Sequence, residues 1–175
     1  MKVKITVENA TPESFAPYGR LIPTQQENPD KSGPGWKCWV PLGLLKVSSG
    51  KLQIGMVELE KQELVVSEME RHETREEMLW PIDKPIIQLV GLPSHLDDPN
   101  ARPRVDETKA FLLVPGQIVI MSNGTWHAPS YALTENTSYY YAIELSDIPE
   151  KDVQPWRKFS NDETIMMVVE KGKCK

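Results

Sequence analysis

The sequence predicts an all-β protein, a sandwich or barrel with one or two short helices. Three observations carry that expectation. Fifteen prolines and ten glycines cut the chain into intervals mostly too short for long helices. Between them lie short runs rich in β-branched and aromatic residues. The composition, 39% hydrophobic and 26% charged over 175 residues, is that of an ordinary globular chain able to bury a core in a single domain spanning residues 1–175.

Taken in order, Val3–Val7 reads as the first strand. Thr11 then caps a short helix, with Pro12 at its first position and Phe15 as its apolar contact before "PYG" ends the turn. Thr24–Gly35 reads as a long polar loop. Strands follow at Trp36–Val40, Leu52–Leu59, Leu64–His72 and Ile86–Leu92. A second long loop, Pro93–Glu107, leads to strands at Thr108–Val114, Gln117–Met121 and Ser138–Leu145. A second short helix after Pro149, limited by Pro155, precedes a last strand at Ile165–Val169. Both loops are expected at the surface or over a pocket mouth, with His95, Arg102 and Arg104 solvated.

The formal net charge of −5 argues against a nucleic-acid surface. No apolar run approaches the ~18 residues of a membrane span. The opening "MKVKITVENATPESF" has no apolar signal core, so a cytoplasmic location is expected. Cys38 and Cys174 stand far apart and no C-x-x-C occurs, which fits reduced structural thiols.

Two polar stretches stand out. On a strand over Leu64–His72, alternation puts Leu64, Val66, Glu68, Glu70 and His72 on one face, which turns from apolar to acidic and then imidazole-bearing. An inward face of that kind suits the mouth of a small-molecule barrel. Downstream, Asn123-Gly124 marks a tight turn, and His127 leaves it on a new strand beside Trp126. The two stretches are expected to meet in one polar pocket.

Glu70-x-His72, four residues and then Glu77 resembles the first motif of the cupins, with Glu70 in place of the first histidine. Gly116, five residues, Ser122-Asn123-Gly124, two residues and then His127 is similar to the second, with Ser122 in place of proline. Within the cupins the chain resembles the ureidoglycolate lyase family most. "ESFAPYGRLI", "EMERHETREEMLWP" and "KAFLLVPGQIVIMSNGTWHAP" carry that likeness, which spans about Glu13 to Leu133. The chain departs from the family pattern at Ala128, where a second histidine is usual, at Glu77, where Gln is common, and in "YYYAIELSDIPEKDVQPW".

The resemblance implies a cupin-type β-barrel (a double-stranded β-helix or jelly roll), a homodimer, and cleavage of ureidoglycolate to glyoxylate and urea in purine and allantoin breakdown. His72, His127 and Glu77 are the expected catalytic groups, because such an elimination needs a base for the hydroxyl proton and an acid for the departing nitrogen. Lys109 shares a strand face with Phe111 and Leu113 and is expected to meet the small carboxylate substrate, with Glu70 and Trp126 beside it. Glu70, His72, Glu77 and His127 also form a set able to hold one divalent ion, Ni, Mn, Fe or Zn, or to act without a metal. Two other readings share the fold: a binding module that captures a small carboxylate without transforming it, which Ala128 favours, and another metal-dependent cupin enzyme of isomerase or dioxygenase type.

Overall fold

The computed structural model describes residues 1–23, 28–48, 50–145 and 155–170. The helix expected after Pro149 and the thiol of Cys174 fall on positions outside these residues. In chain order, β1 (Lys2–Asn9) leads through α1 (Pro12–Phe15) to β2 (Gly19–Pro23). A small hairpin of β3 (Lys31–Gly33) and β4 (Trp36–Cys38) precedes β5 (Leu52–Leu59). The short β6 (Val65–Val66) and β7 (Glu68–Met69) follow, then β8 (Glu77–Pro81) and β9 (Ile86–Gly91). Next come β10 (Thr108–Leu113), β11 (Gln117–Met121), β12 (Trp126–His127), β13 (Tyr131–Ala132) and β14 (Thr137–Glu144), and finally β15 (Arg157–Lys158) and β16 (Thr164–Val168).

The first helix forms as its residues dictate. The Ser14 amide donates to Thr11 Oγ1 at 3.1 Å, and the Thr11 amide donates back to Ser14 Oγ at 3.0 Å, a reciprocal capping box. Phe15 is then driven into the core, edge-on to Phe111 with ring centroids 5.3 Å apart.

Two curled sheets make the barrel. One runs β2-β11-β8-β14-β5, antiparallel throughout. The other runs β12-β9-β10-β1-β16-β6, with β13 also on β9. Leu21, Leu79 and Val119 of the first sheet pack against Ile86, Phe111 and Leu113 of the second, and this layer is the main core. The second sheet is covered on its other face too, where Ile87, Leu89, Leu112 and Ile165 meet Met69 and Phe159. That is why β9, "IIQLVG", is buried along its whole length and reads as a continuous apolar run rather than an alternating one. The architecture is the cupin-type β-barrel that the resemblance implies.

Two expectations need correction. Thr24–Gly35 is not wholly a loop, because Lys31–Gly33 pairs with Trp36–Cys38. Leu64–His72 is not one strand. Val65–Val66 pairs with β16, Glu68–Met69 pairs with β15, and Glu70 bridges His127. Three partners in so short a run break the alternation, so Glu68 is exposed while Met69 is fully buried. The alternation survives only from Glu70 to His72, the part that matters for the site.

Candidate active site

The site is assembled by backbone before side chains enter it. The Glu70 amide donates to the His127 carbonyl at 2.9 Å, and the His127 amide donates to the Glu70 carbonyl at 2.8 Å. Two positions further on, the Gly124 amide donates to the His72 carbonyl at 2.7 Å. Gly124 has φ +78°, a left-handed conformation that glycine takes without steric cost, so the Asn123-Gly124 turn brings its N–H round to this acceptor. The Tyr18 carbonyl fastens the same turn, accepting from the Ser122 amide at 2.9 Å and from Thr125 Oγ1 at 2.8 Å.

Glu70, His72, Glu77 and His127 consequently line one cavity of about 350 Å³ inside the barrel. Glu77 Oε2 lies 3.3 Å from His72 Nε2 and 3.1 Å from His127 Nε2, and the imidazole rings tilt at 48° with centroids 5.0 Å apart. His127 Nδ1 is 3.0 Å from the Thr125 carbonyl. A carbonyl only accepts, so this nitrogen carries a hydrogen and Nε2 is the atom turned to Glu77. Burial alone would lower the His127 pKa, but the charge of the adjacent Glu77 carboxylate outweighs burial and raises it to about 8. Burial alone would raise Glu77; His127 first and His72 second outweigh it and hold the carboxyl at about 2.

The contacts reach ion-pair distance without lining up as hydrogen bonds. Glu77 Oε2 and His72 Nδ1 are buried atoms lacking a hydrogen-bond partner among the described residues. A carboxylate oxygen without a hydrogen bond, flanked by two imidazole nitrogens, suits a group shared between them, whether a proton or a cation. Donor atoms of Glu70, His72 and His127 all lie within 4.8 Å of one another. Glu77, expected as a fourth ligand, is outside that trio and bridges the two imidazoles instead.

A family model for ureidoglycolate lyase matches residues 2–161. The chain belongs to the ureidoglycolate lyase family. No curated protein matches it. Among solved structures it is similar to RmlC from Streptococcus suis in complex with dTDP-D-xylose, at 12% identity and TM-score 0.45, covering 70% of this chain and 63% of that one. It is also similar to oxalate decarboxylase from Bacillus subtilis, at 13% identity and TM-score 0.39, covering 53% of this chain and 21% of that one. The dTDP-4-dehydrorhamnose 3,5-epimerase from Elizabethkingia anophelis matches at 9% identity and TM-score 0.40, covering 68% of this chain and 67% of that one. The chain thus spans less than two thirds of the length of the first two.

In this ureidoglycolate lyase family member, two residues expected at the substrate lie elsewhere. Lys109 does share the face of Phe111, but at the second position of β10 it is exposed and its Nζ meets Glu8 Oε1 at 2.7 Å. Alternation gives the face of a strand, not the depth. Trp126 is next to His127 and therefore projects to the opposite side. It stacks under the Arg71 guanidinium at 4.7 Å and lines a separate cavity with Arg157 and Ala101.

Sequence reasoning missed Arg75, which is buried, lines the pocket and donates from Nη1 to the Glu144 carbonyl at 3.0 Å. It also missed Tyr139 and Gln88. Gln88 Nε2 donates to the Leu89 and Ala128 carbonyls at 3.0 and 2.8 Å, while Ser130 Oγ donates to Gln88 Oε1. Tyr139 is hydrogen-bonded to Ser130, and burial pushes its phenol up to about 12, so it stays neutral. A strand signal in "EMLWP" would have revealed β8, and with it the alternation Arg75, Glu77, Leu79.

Proposed function

We propose that this chain cleaves ureidoglycolate to glyoxylate and urea as a carbon–nitrogen lyase of ureide breakdown. The observation that carries the reading is one partly buried carboxylate, Glu77, held between two imidazoles in a barrel pocket that a buried arginine also lines. Family membership supplies the substrate.

Arg75, a permanent cation, takes the substrate carboxylate in the role expected of Lys109. With Nδ1–H committed to Thr125, neutral His127 has Nε2 left to accept the hydroxyl proton. The O–H electrons become the new carbonyl bond, the carbon–nitrogen bond breaks, and the nitrogen takes up the proton as urea leaves. Glu77 stabilises the imidazolium formed between these steps and fixes its orientation, as a carboxylate beside a catalytic histidine does. His72 holds the other side of Glu77.

A divalent ion fits the donor set. Glu70, His72 and His127 would hold it, and a mixed imidazole–carboxylate trio suits Ni, Mn, Fe or Zn; His127 Nε2 would then be a ligand and not the base, leaving the hydroxyl proton to Glu77. Bound there, it would act as a Lewis acid on substrate oxygens.

The protein further acts, in this reading, as a single domain in a cytoplasmic homodimer. β5 is an outer strand of its sheet with Ile54 67% and Met56 51% exposed, which favours pairing with a second copy. A free thiol at Cys38 suits a reducing compartment, and no helix among the described residues is long and apolar enough to cross a membrane.

Glyoxylate release from ureidoglycolate by the purified protein tests the proposal. Folded protein without turnover, with or without added Mn or Ni, would transfer the site to a carboxylate-binding role.

A further inference from the structure

The pocket reads its ligand along β8 and the two residues that lead into it. Arg75, Glu77 and Leu79 alternate in sequence and all line the cavity. Their backbone positions are spaced about 7 Å apart on an extended chain. The order is a cation, the carboxylate that holds the imidazoles, and an apolar side chain buried in the barrel core. A carboxylate on Arg75 and a reacting carbon at the imidazoles leave the third position, Leu79, for whatever the substrate nitrogen carries.

That third position has a largely apolar lining. Its walls are Leu79, Val57, Tyr139 and Tyr141, whose hydroxyl accepts from Gln53 Nε2 at 2.8 Å. The Tyr141 ring lies so close over Gly55 that a Cβ at residue 55 would run into it. Strand register puts these groups side by side, Tyr141 opposite Leu79 and Tyr139 opposite Val57. The polar groups nearby are committed to one another. Both Gln88 amide hydrogens go to backbone carbonyls, Ser130 is donated to Gln88, and Tyr139 is bonded to Ser130. A terminal urea NH₂ placed here would give up water for few new hydrogen bonds, whereas an apolar acyl group gives up none. The cavity of about 350 Å³ also falls in the range of drug-sized ligand pockets, roughly 300–1,000 Å³, larger than so small a substrate needs.

We infer that the pocket accepts N-acyl-α-hydroxyglycines with an apolar acyl group, seated against Leu79, Val57 and the Tyr139 and Tyr141 rings, and cleaves them to glyoxylate and the primary amide. The inference rests on the lyase reading above. The chemistry is the same elimination. The hydroxyl loses its proton to the imidazole, its O–H electrons form the aldehyde carbonyl, the carbon–nitrogen bond breaks, and the amide nitrogen takes the proton back. Nothing is oxidised or reduced.

The experiment compares N-benzoyl-α-hydroxyglycine with ureidoglycolate by glyoxylate release. In parallel, calorimetry compares two analogues that lack the hydroxyl, N-benzoylglycine and N-carbamoylglycine. The expected result is turnover of the benzoyl substrate at a kcat/KM no lower than that of ureidoglycolate, with N-benzoylglycine binding the tighter of the two analogues. Val57→Thr, close to isosteric and on an outer strand, should lower the ratio of benzoyl to ureido kcat/KM by roughly tenfold. Glyoxylate from ureidoglycolate alone, with the benzoyl analogue binding no tighter, overturns this inference and leaves the proposed function standing. Turnover of the benzoyl substrate alone sustains the inference and removes the ureidoglycolate assignment. Turnover of neither overturns both.

Discussion

Glu70 and His127 are opposite each other as a single antiparallel pair that exchanges both backbone hydrogen bonds, at 2.9 and 2.8 Å. Fifty-seven positions of chain separate them, yet the pair fixes where both side chains enter the pocket. The placement of the acid–base groups is therefore a backbone property, and side-chain substitutions can remove chemistry without dismantling the site.

His127→Asn is expected to lower kcat/KM for ureidoglycolate by ~10²–10⁴-fold, the usual contribution of a general acid–base group. Circular dichroism should still report the β-rich fold. His72→Asn should cost less, since it reaches the reaction through Glu77.

The pH profile follows from the shared carboxylate. His127 is raised to about 8, so activity should climb as pH passes through 8 and neutral imidazole becomes available. Stability should move the other way. A raised histidine stabilises fully below its ordinary value of 6.5 and loses that contribution as pH rises to 8. Glu77, lowered to about 2, stabilises above 4.5 and loses its contribution as pH falls toward 2. Melting temperature against pH should peak between about 4.5 and 6.5 for this pair, and Glu77→Gln should flatten that dependence.

Arg75→Met should raise KM at least tenfold while kcat falls less, because a carboxylate anchor serves ground and transition states alike. Lys109→Met should leave both constants within about twofold, its ammonium being engaged at the surface with Glu8. Steady-state kinetics on the two variants distinguishes the buried cation from the exposed one.

Metal content gives an independent measurement. Protein prepared with Mn or Ni should retain the ion by elemental analysis, and chelator should lower its melting temperature by mass action. His72→Ala and His127→Ala should each lose the ion and the chelator effect together. Equal melting curves and no bound metal would leave an organic acid–base set.

Gly124→Ala should destabilise by about 1 kcal/mol or more, because an alanine strains at φ +78° and its Cβ meets Leu96. Thermal unfolding measures the loss, and the weakened Gly124–His72 link should appear as reduced kcat as well.

The barrel was legible because turn residues punctuate the chain and because Leu52–Leu59 and Gln117–Met121 carry unmistakable strand composition. The meeting of His72 with His127 was legible from motif spacing. Glu77 was found the same way, yet its strand was not. "EMLWP" follows five charged residues in seven and ends in proline, so local composition hides a strand whose pairing on both sides comes from distant residues. Arg75 was lost in the same acidic run, since nothing local distinguishes a buried guanidinium from a solvated one. Lys109 was misjudged for the complementary reason, that period-two patterning carries no information about where a barrel ends.

The first strand has an awkward place in time. β1 is flanked on both sides by parallel partners, β10 around Ala110 and β16 around Ile165, and it has no neighbour in the early part of the chain. During synthesis at ~5–20 residues per second it must wait seconds for either partner, with both hydrogen-bonding edges open. Contacts of such long sequence separation also slow folding, because loop closure has to precede any gain from pairing. The nascent chain is thus exposed to mispairing at β1, and Lys2 and Lys4, charged and alternating along that strand, are suited to keep it from pairing with the wrong neighbour meanwhile.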